Sequence, residues 1–239
     1  RFLEMGYVIQ WKMKLDQAGK SPSTISSYLS HLREVLKYMK SRGFTVIEAR
    51  DIALPKIPQT NPTWLDVDEV RQMLSVIASP RDKAIVALLF SSGARISELL
   101  SLDRGDIQKN EAKIVGKGGK IGTLHFDDNA ISYLNQYLGS RNDKLTPLFI
   151  SGQRRRITPS RIQQLMHEYA DLAGIKKNVT PHVMRHSFAS NLKMNDMDIF
   201  DIKEQLRHSQ ISSTMIYTHV KDTRKTEQYK KFHTSVPLV

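Results

Sequence analysis

One stretch, Ala53 to Pro62, carries three prolines and no apolar periodicity, and it interrupts a chain that otherwise reads mostly as amphipathic helix. Proline lacks the backbone donor that a helix interior or a central strand needs, so this stretch extends neither neighbour and reads as a linker. It predicts an N-terminal helical domain over residues 1–54, a linker over 55–63 and a larger domain over 64–239. With 239 residues, the chain is long enough for two units that each bury a core.

In the first part, Ser21-Pro22-Ser23 supplies cap chemistry, after which Ile25, Tyr28, Leu29, Leu32, Leu36 and Met39 recur at helical steps. The other face carries Arg33, Lys37 and Lys40, and Gly43 is placed to end the helix. That basic face fits either a solvated surface or one turned toward a polyanion. The chain opens at Arg1, without Met and inside an expected helix, so further residues are expected upstream.

In the second part, Asp66 with Glu69 forms a capping-box pattern ahead of Val67, Val70, Met73 and Leu74. Helical spacing continues over 84–90 and 96–102, and then the period changes to two. Residues 113–115 and 123–126 flank the glycine-rich segment 116–120, which predicts a β-hairpin. Thr158-Pro159 and Thr180-Pro181 each place a cap residue before a proline at the first helical position. Ser212 or Ser213 is expected to cap a last helix containing Tyr217. The predicted fold class is mainly α with a small β-hairpin or sheet, an α+β arrangement.

Lys and Arg number 36 against 24 Asp and Glu, for a net charge of +12. Such a balance favours a polyanionic partner such as nucleic acid without proving one. The absence of cysteine excludes disulfides, thiolate metal sites and cysteine nucleophiles. No apolar run approaches the roughly 20 residues of a membrane span. A cytoplasmic protein without membrane contact is expected.

Five short segments hold the candidate chemistry: Gly93-Ala94-Arg95-Ile96-Ser97-Glu98-Leu99, Gly116-Lys117-Gly118, His182-Val183-Met184-Arg185-His186, Leu206-Arg207-His208-Ser209 and Ile216-Tyr217-Thr218-His219-Val220. His182 and Arg185 lie three apart just inside a helix start, so they share a face and could grip one anion. A buried histidine with a salt-bridged arginine is the competing reading for that pair. Arg95 stands at ion-pairing distance from Glu98 along a helix. Lys117 sits between glycines, either as an exposed turn residue or as a flexible cationic finger. The segment does not follow the phosphate-loop pattern, so nucleoside triphosphate binding is not supported. Tyr217 is one of eight tyrosines, and nothing adjacent makes it a nucleophile.

Taken together and in order, these segments resemble the catalytic domain of the tyrosine recombinases, particularly the short Xer-like members. The N-terminal part is similar to that family's core-binding domain. The resemblance implies an active site of Arg95, Lys117, His182, Arg185, His208 and Tyr217, with one departure: Arg207 stands where the family commonly has glycine. It also implies the reaction, in which Tyr217 attacks a DNA phosphodiester to leave a 3′-phosphotyrosyl link and a free 5′ hydroxyl. Arg95 and Arg185 would hold the phosphate charge, His182 would take the tyrosine proton, His208 would donate to a non-bridging oxygen and Lys117 would protonate the leaving oxygen.

Neither metal nor other cofactor is expected, because the guanidinium groups supply the positive charge. The implied partners are double-stranded DNA with paired half-sites and further copies of the chain, two per site and four in the synapse, with a monomer expected without DNA. The tail from Thr223 to His233 would dock on a neighbouring copy. Chromosome-dimer resolution is the expected task, with mobile-element integration next. A type IB topoisomerase and a non-catalytic DNA-binding protein are the more remote alternatives.

Overall fold

A computed structural model describes residues 4–57, 62–115, 119 and 121–207. The chain divides into two compact units, Arg1–Thr60 and Asn61–Val239.

The first unit is built on α1 (Met5–Gln17) and α2 (Pro22–Ser41), followed by a single 3-10 turn, Ala49–Asp51. The side chain of Ser21 accepts from the Thr24 N–H at 3.2 Å, and Pro22 occupies the first turn, where its missing donor costs nothing. Gly43, at φ +84°, lies just beyond the helix end as its position predicts. Val8, Ile25, Leu29, Leu36 and Ile52 form the core of this unit. Tyr28 stays exposed and stacks on Trp11, with ring centroids 6.2 Å apart. The cationic face of α2 is largely partnered within the unit. Arg33 donates to the Ile52 carbonyl, Lys37 pairs with Glu34 and Lys40 pairs with Glu48.

The second unit follows the order α3 (Val67–Val76), α4 (Pro80–Ser92), α5 (Ile96–Ser101), β1 (Ile107–Gln108), β2 (Glu111–Val115), β3 (Ile121–His125), α6 (Asp128–Gly139), α7 (Pro159–Leu172), α8 (Pro181–Met194) and α9 (Ile199–Gln205). At its centre is α4, in which Ala84, Ile85, Val86, Ala87, Leu88 and Leu89 are all buried. A helix apolar on every side belongs inside a core, and α4 packs against α3, α5, α6, α8 and β3. It begins at Pro80, capped by Ser79, ahead of the periodicity at Ala84 that marks it in the sequence.

The caps expected at Ser21, Asp66, Thr158 and Thr180 are present, whereas the cap expected at Ser212 or Ser213 and the tail from Thr223 to His233 lie outside the described residues. Asp66 and Glu69 exchange bonds of 2.8 and 2.9 Å with each other's backbone N–H groups, while Thr158 and Thr180 cap α7 and α8. Ser187 fastens α8 to the entry of α3, accepting from the Leu65 N–H at 2.7 Å while donating to the Val183 carbonyl at 2.8 Å.

The sheet runs β1-β2-β3, antiparallel throughout. Ala112, Ile114 and Leu124 turn inward while Glu111, Lys113 and Val115 face solvent, giving the period of two visible in the sequence. The hairpin is therefore present, with a third strand added at its edge. β1 joins β2 through Lys109 and Asn110, at φ +48° and +65°. A two-residue turn with both φ positive matches strand twist, although lysine is an unusual occupant of it. Among the described residues no helix is long and apolar enough to cross a membrane.

Candidate active site

The geometry starts from the left-handed turn between α4 and α5. Gly93 ends α4 at φ +57°, and a Cβ added there would lie 2.3 Å from Cδ1 of Phe188 on α8. Both the backbone angle and the close approach require glycine. Gly93→Ala is accordingly expected to destabilise the second unit by about 2–4 kcal/mol, from left-handed strain plus overpacking. Urea denaturation checks this; a cost under about 0.5 kcal/mol, the usual range for surface changes, would contradict the tight contact.

That turn delivers Arg95 to the position preceding α5. The Arg95 side chain is 43% exposed, and its Nη1 donates to Glu98 Oε1 at 2.6 Å. The Arg95 N–H donates to Glu98 Oε2 at 2.8 Å, so one carboxylate fixes both the backbone and the guanidinium. The ion pair read from helical spacing is present, and it leaves Arg95 at the surface. Glu98 itself is 8% exposed and also pairs with Arg207, whose Nη2 lies 3.2 Å from Oε2. Burial pushes the Glu98 carboxyl up, but the N–H and guanidinium of Arg95 and the charge of Arg207 outweigh it and hold the carboxyl below its ordinary value.

Arg185 approaches the same turn from below. It lies on α8 only 4% exposed, with Nη1 donating to the Gly93 carbonyl at 2.5 Å and Nη2 donating to the Leu206 carbonyl. One guanidinium thus ties the turn before Arg95 to the residue two places before His208. His182, a turn earlier on α8, is exposed. Its ring stacks on that of His186, with centroids 6.2 Å apart.

His186 is held below the ordinary imidazole value, first by burial and then by the positive charges of His182 and Arg185. The folded chain therefore prefers the neutral ring. The associated stability is complete above pH 6.5, the ordinary value, and is lost as pH falls through the lowered one. His186→Gln is expected to shrink the loss of stability between pH 7.5 and pH 5, measured by urea unfolding. An unchanged loss would place the acid sensitivity elsewhere.

Of the six residues expected from the sequence, the structure brings the surroundings of Arg95 and Arg185 together and places His182 on the same helix as Arg185. Lys117, His208 and Tyr217 lie outside the described residues. The flanks of Lys117 are the paired strand ends Val115 and Ile121, and the residue before His208 is Arg207.

Two neighbours of this cluster escaped the sequence reading. Glu98 appeared there only as a partner of Arg95, and its second guanidinium comes from far along the chain. Gly122 gave no signal, yet a Cβ on it would lie 2.6 Å from Cδ of Arg207.

Two open cavities, of about 380 and 680 Å³, lie around Arg81 and Arg141 and around Arg155, Arg156 and Arg161, away from this cluster. Among the described residues no group of three acidic or imidazole side chains is placed to hold a metal ion. The cluster's own chemistry is that of an anion site, with an exposed guanidinium locked in orientation by a carboxylate and a second guanidinium beneath it.

The chain is similar to known proteins in sequence and in fold. Residues 63–224 match the Phage integrase family. The chain is 36% identical over 232 residues to a tyrosine recombinase XerC from Thermodesulfovibrio yellowstonii, an alignment covering 90% of this chain and 77% of that protein. It is 33% identical over 243 residues to a tyrosine recombinase XerD from Oceanobacillus iheyensis, covering 96% and 80%. The crystal structure of XerA recombinase matches with a TM-score of 0.65 at 26% identity, covering 98% of this chain and 85% of that one.

Proposed function

Because the chain belongs to the Phage integrase family, the tyrosine recombinases, we propose that it is a site-specific recombinase that cuts and rejoins duplex DNA through Tyr217. The observation that carries this reading is the pair of hydrogen bonds that Arg185 donates to the Gly93 and Leu206 carbonyls. These bonds tie the turn before Arg95 to the end of α9 around one buried cation.

Phosphoryl transfer concentrates negative charge on the non-bridging oxygens, and guanidinium groups stabilise that charge while staying protonated. Arg95 meets the phosphate from the solvent side, and Arg185 from the protein side once the duplex is seated. The phenol of Tyr217, with an ordinary pKa near 10, gives its proton to His182 as its oxygen attacks phosphorus. His208 donates to a non-bridging oxygen. The bond from phosphorus to the 5′ oxygen breaks, and Lys117 on the β2–β3 connection protonates that oxygen as it leaves. The products are a 3′-phosphotyrosyl link and a 5′ hydroxyl. Attack by a 5′ hydroxyl from another strand reverses the step, exchanges strands and yields a Holliday junction without ATP.

The unit before the linker is the core-binding domain and adds its own contacts to the duplex. Two copies act on two inverted half-sites, four form the synapse through their C-terminal tails, and the task is Xer-like resolution of chromosome dimers. The two relatives named XerC and XerD support the Xer-like part of that assignment.

A pool of nicked duplexes carrying randomised sequence, incubated with the protein in EDTA and without nucleotide, tests this reading. Covalently captured DNA is expected to converge on one sequence of two inverted half-sites. Relaxation of any supercoiled plasmid without sequence choice would instead indicate a topoisomerase, and binding without capture would indicate a non-catalytic protein.

A further inference from the structure

Arg207 occupies a place that suits arginine poorly. Its backbone is left-handed at φ +54°, a conformation in which glycine carries no side-chain penalty. Its side chain is largely withdrawn from water, and burial pulls the guanidinium below its ordinary value. Its Nε is buried with no hydrogen-bond partner among the described residues. Glycine would avoid all three costs, and such costs persist where the surroundings over-determine a residue, often at functional sites.

What surrounds Arg207 is the candidate active site. Nη2 pairs with Glu98 at 3.2 Å, while Nη1 donates to the carbonyls of Gln205 at 2.7 Å and Thr123 at 3.3 Å. The methylene Cδ lies against Gly122, where an added Cβ would come within 2.6 Å and force it to shift. The head group is therefore aimed at Glu98 by two carbonyls and a glycine.

The consequence is electrostatic. Arg95 and Glu98 alone form a neutral pair, so the carboxylate that orients Arg95 also screens its charge from an approaching phosphate. A second guanidinium on the same carboxylate returns one net positive charge to the group. Glu98 and Arg207 are largely shielded from solvent, and there this difference is felt more strongly than in water.

We propose that Arg207 is a positioning residue for DNA cleavage, satisfying the charge of Glu98 so that Glu98 can orient Arg95 without cancelling it. The inference rests on the recombinase reading and adds to it a residue outside the set of six.

The test uses the full chain and the duplex recovered from the randomised pool, nicked so that cleavage is trapped. Arg207→Gly relieves the backbone but takes one partner from the buried Glu98, so the two effects oppose and its thermal midpoint is expected to stay within a few degrees of that of the unaltered chain. DNA affinity is expected to stay within about twofold while single-turnover cleavage falls about 10-fold, a typical coupling between contacting charged groups. Arg207→Lys keeps the charge and is expected to recover most of the rate. Gly122→Ala, which pushes Cδ aside without removing the cation, is expected to slow cleavage in the same direction.

In a Glu98→Gln background no carboxylate needs satisfying, and there Arg207→Gly is expected to change the rate by less than about twofold. A merely structural role would give the same loss in both backgrounds. Equal cleavage with and without Arg207, or an undiminished effect in the Glu98→Gln background, would overturn the inference while leaving the recombinase reading intact. Failure of the unaltered chain to form any adduct would remove the recombinase reading itself.

Discussion

Tyr217→Phe is expected to abolish covalent capture of DNA, lowering cleavage by at least about 10⁴-fold, as loss of an enzyme's nucleophile does. Its affinity for the same duplex should stay within about threefold, because binding to DNA draws on phosphate contacts from many lysines and arginines. A phenol that only packed would give a different signature, a lower unfolding midpoint with adduct still forming. Gel-shift titration and denaturing electrophoresis of the same samples separate the two results. The contrast is wide because in-line attack depends on position to within about an ångström, so a lost nucleophile is not readily replaced.

The second large effect belongs to Arg185. Arg185→Met leaves the Gly93 and Leu206 carbonyls without that donor inside the core. Each unsatisfied buried group costs about 1–3 kcal/mol, so a total loss near 3–5 kcal/mol is expected by urea denaturation. Cleavage, measured where the variant is still folded, should fall about 10³-fold, as for loss of a preorganised donor to the reacting phosphate.

Arg185→Lys separates the two contributions. Lysine retains the charge and can serve one carbonyl, so its stability cost should be about half, in proportion to the carbonyl left unpaired. It cannot reproduce the planar fork, and cleavage should still drop about 10²-fold. A lysine variant that cleaves at the rate of the unaltered chain would show that the fork geometry of Arg185 is irrelevant to the chemistry.

Local features of the fold were legible because their causes are local. A cap needs only a short polar side chain and the backbone N–H three residues on, so Ser21, Asp66, Thr158 and Thr180 announce α2, α3, α7 and α8. The glycine-rich segment between alternating runs announces β2 and β3 for the same reason. The edge strand β1 was not legible, since it has only two residues and turns through Lys109-Asn110 rather than a usual turn pair. The start of α4 was missed because Ser79-Pro80 precedes the apolar run that draws attention to the helix.

At the site, residue types at fixed spacing could be read, whereas their partners could not. The bond from Arg95 to Glu98 spans three residues and is visible in any helical projection. Arg185 is satisfied by backbone carbonyls, which every residue carries, so nothing in the sequence marks Gly93 or Leu206 as its acceptors. The pairing of Arg207 with Glu98 joins positions 109 apart, and its bond to Thr123 joins positions 84 apart. Such contacts exist only after α9 has packed on α8 through Ala189, Ile202 and Leu206. The sequence identified Arg207 as a departure, and its use emerges only from that packing.

Strand exchange by this route passes through a covalent bond between DNA and one phenolic oxygen. Trapped adduct, trimmed by nuclease and digested with trypsin, tests it directly by mass spectrometry. Cleavage after Arg207 and Lys221 releases a peptide from His208 to Lys221 with Tyr217 as its one tyrosine. The expected result is a nucleotide remnant joined through its 3′ phosphate to Tyr217. A remnant on another side chain, or on a 5′ phosphate, would contradict the account.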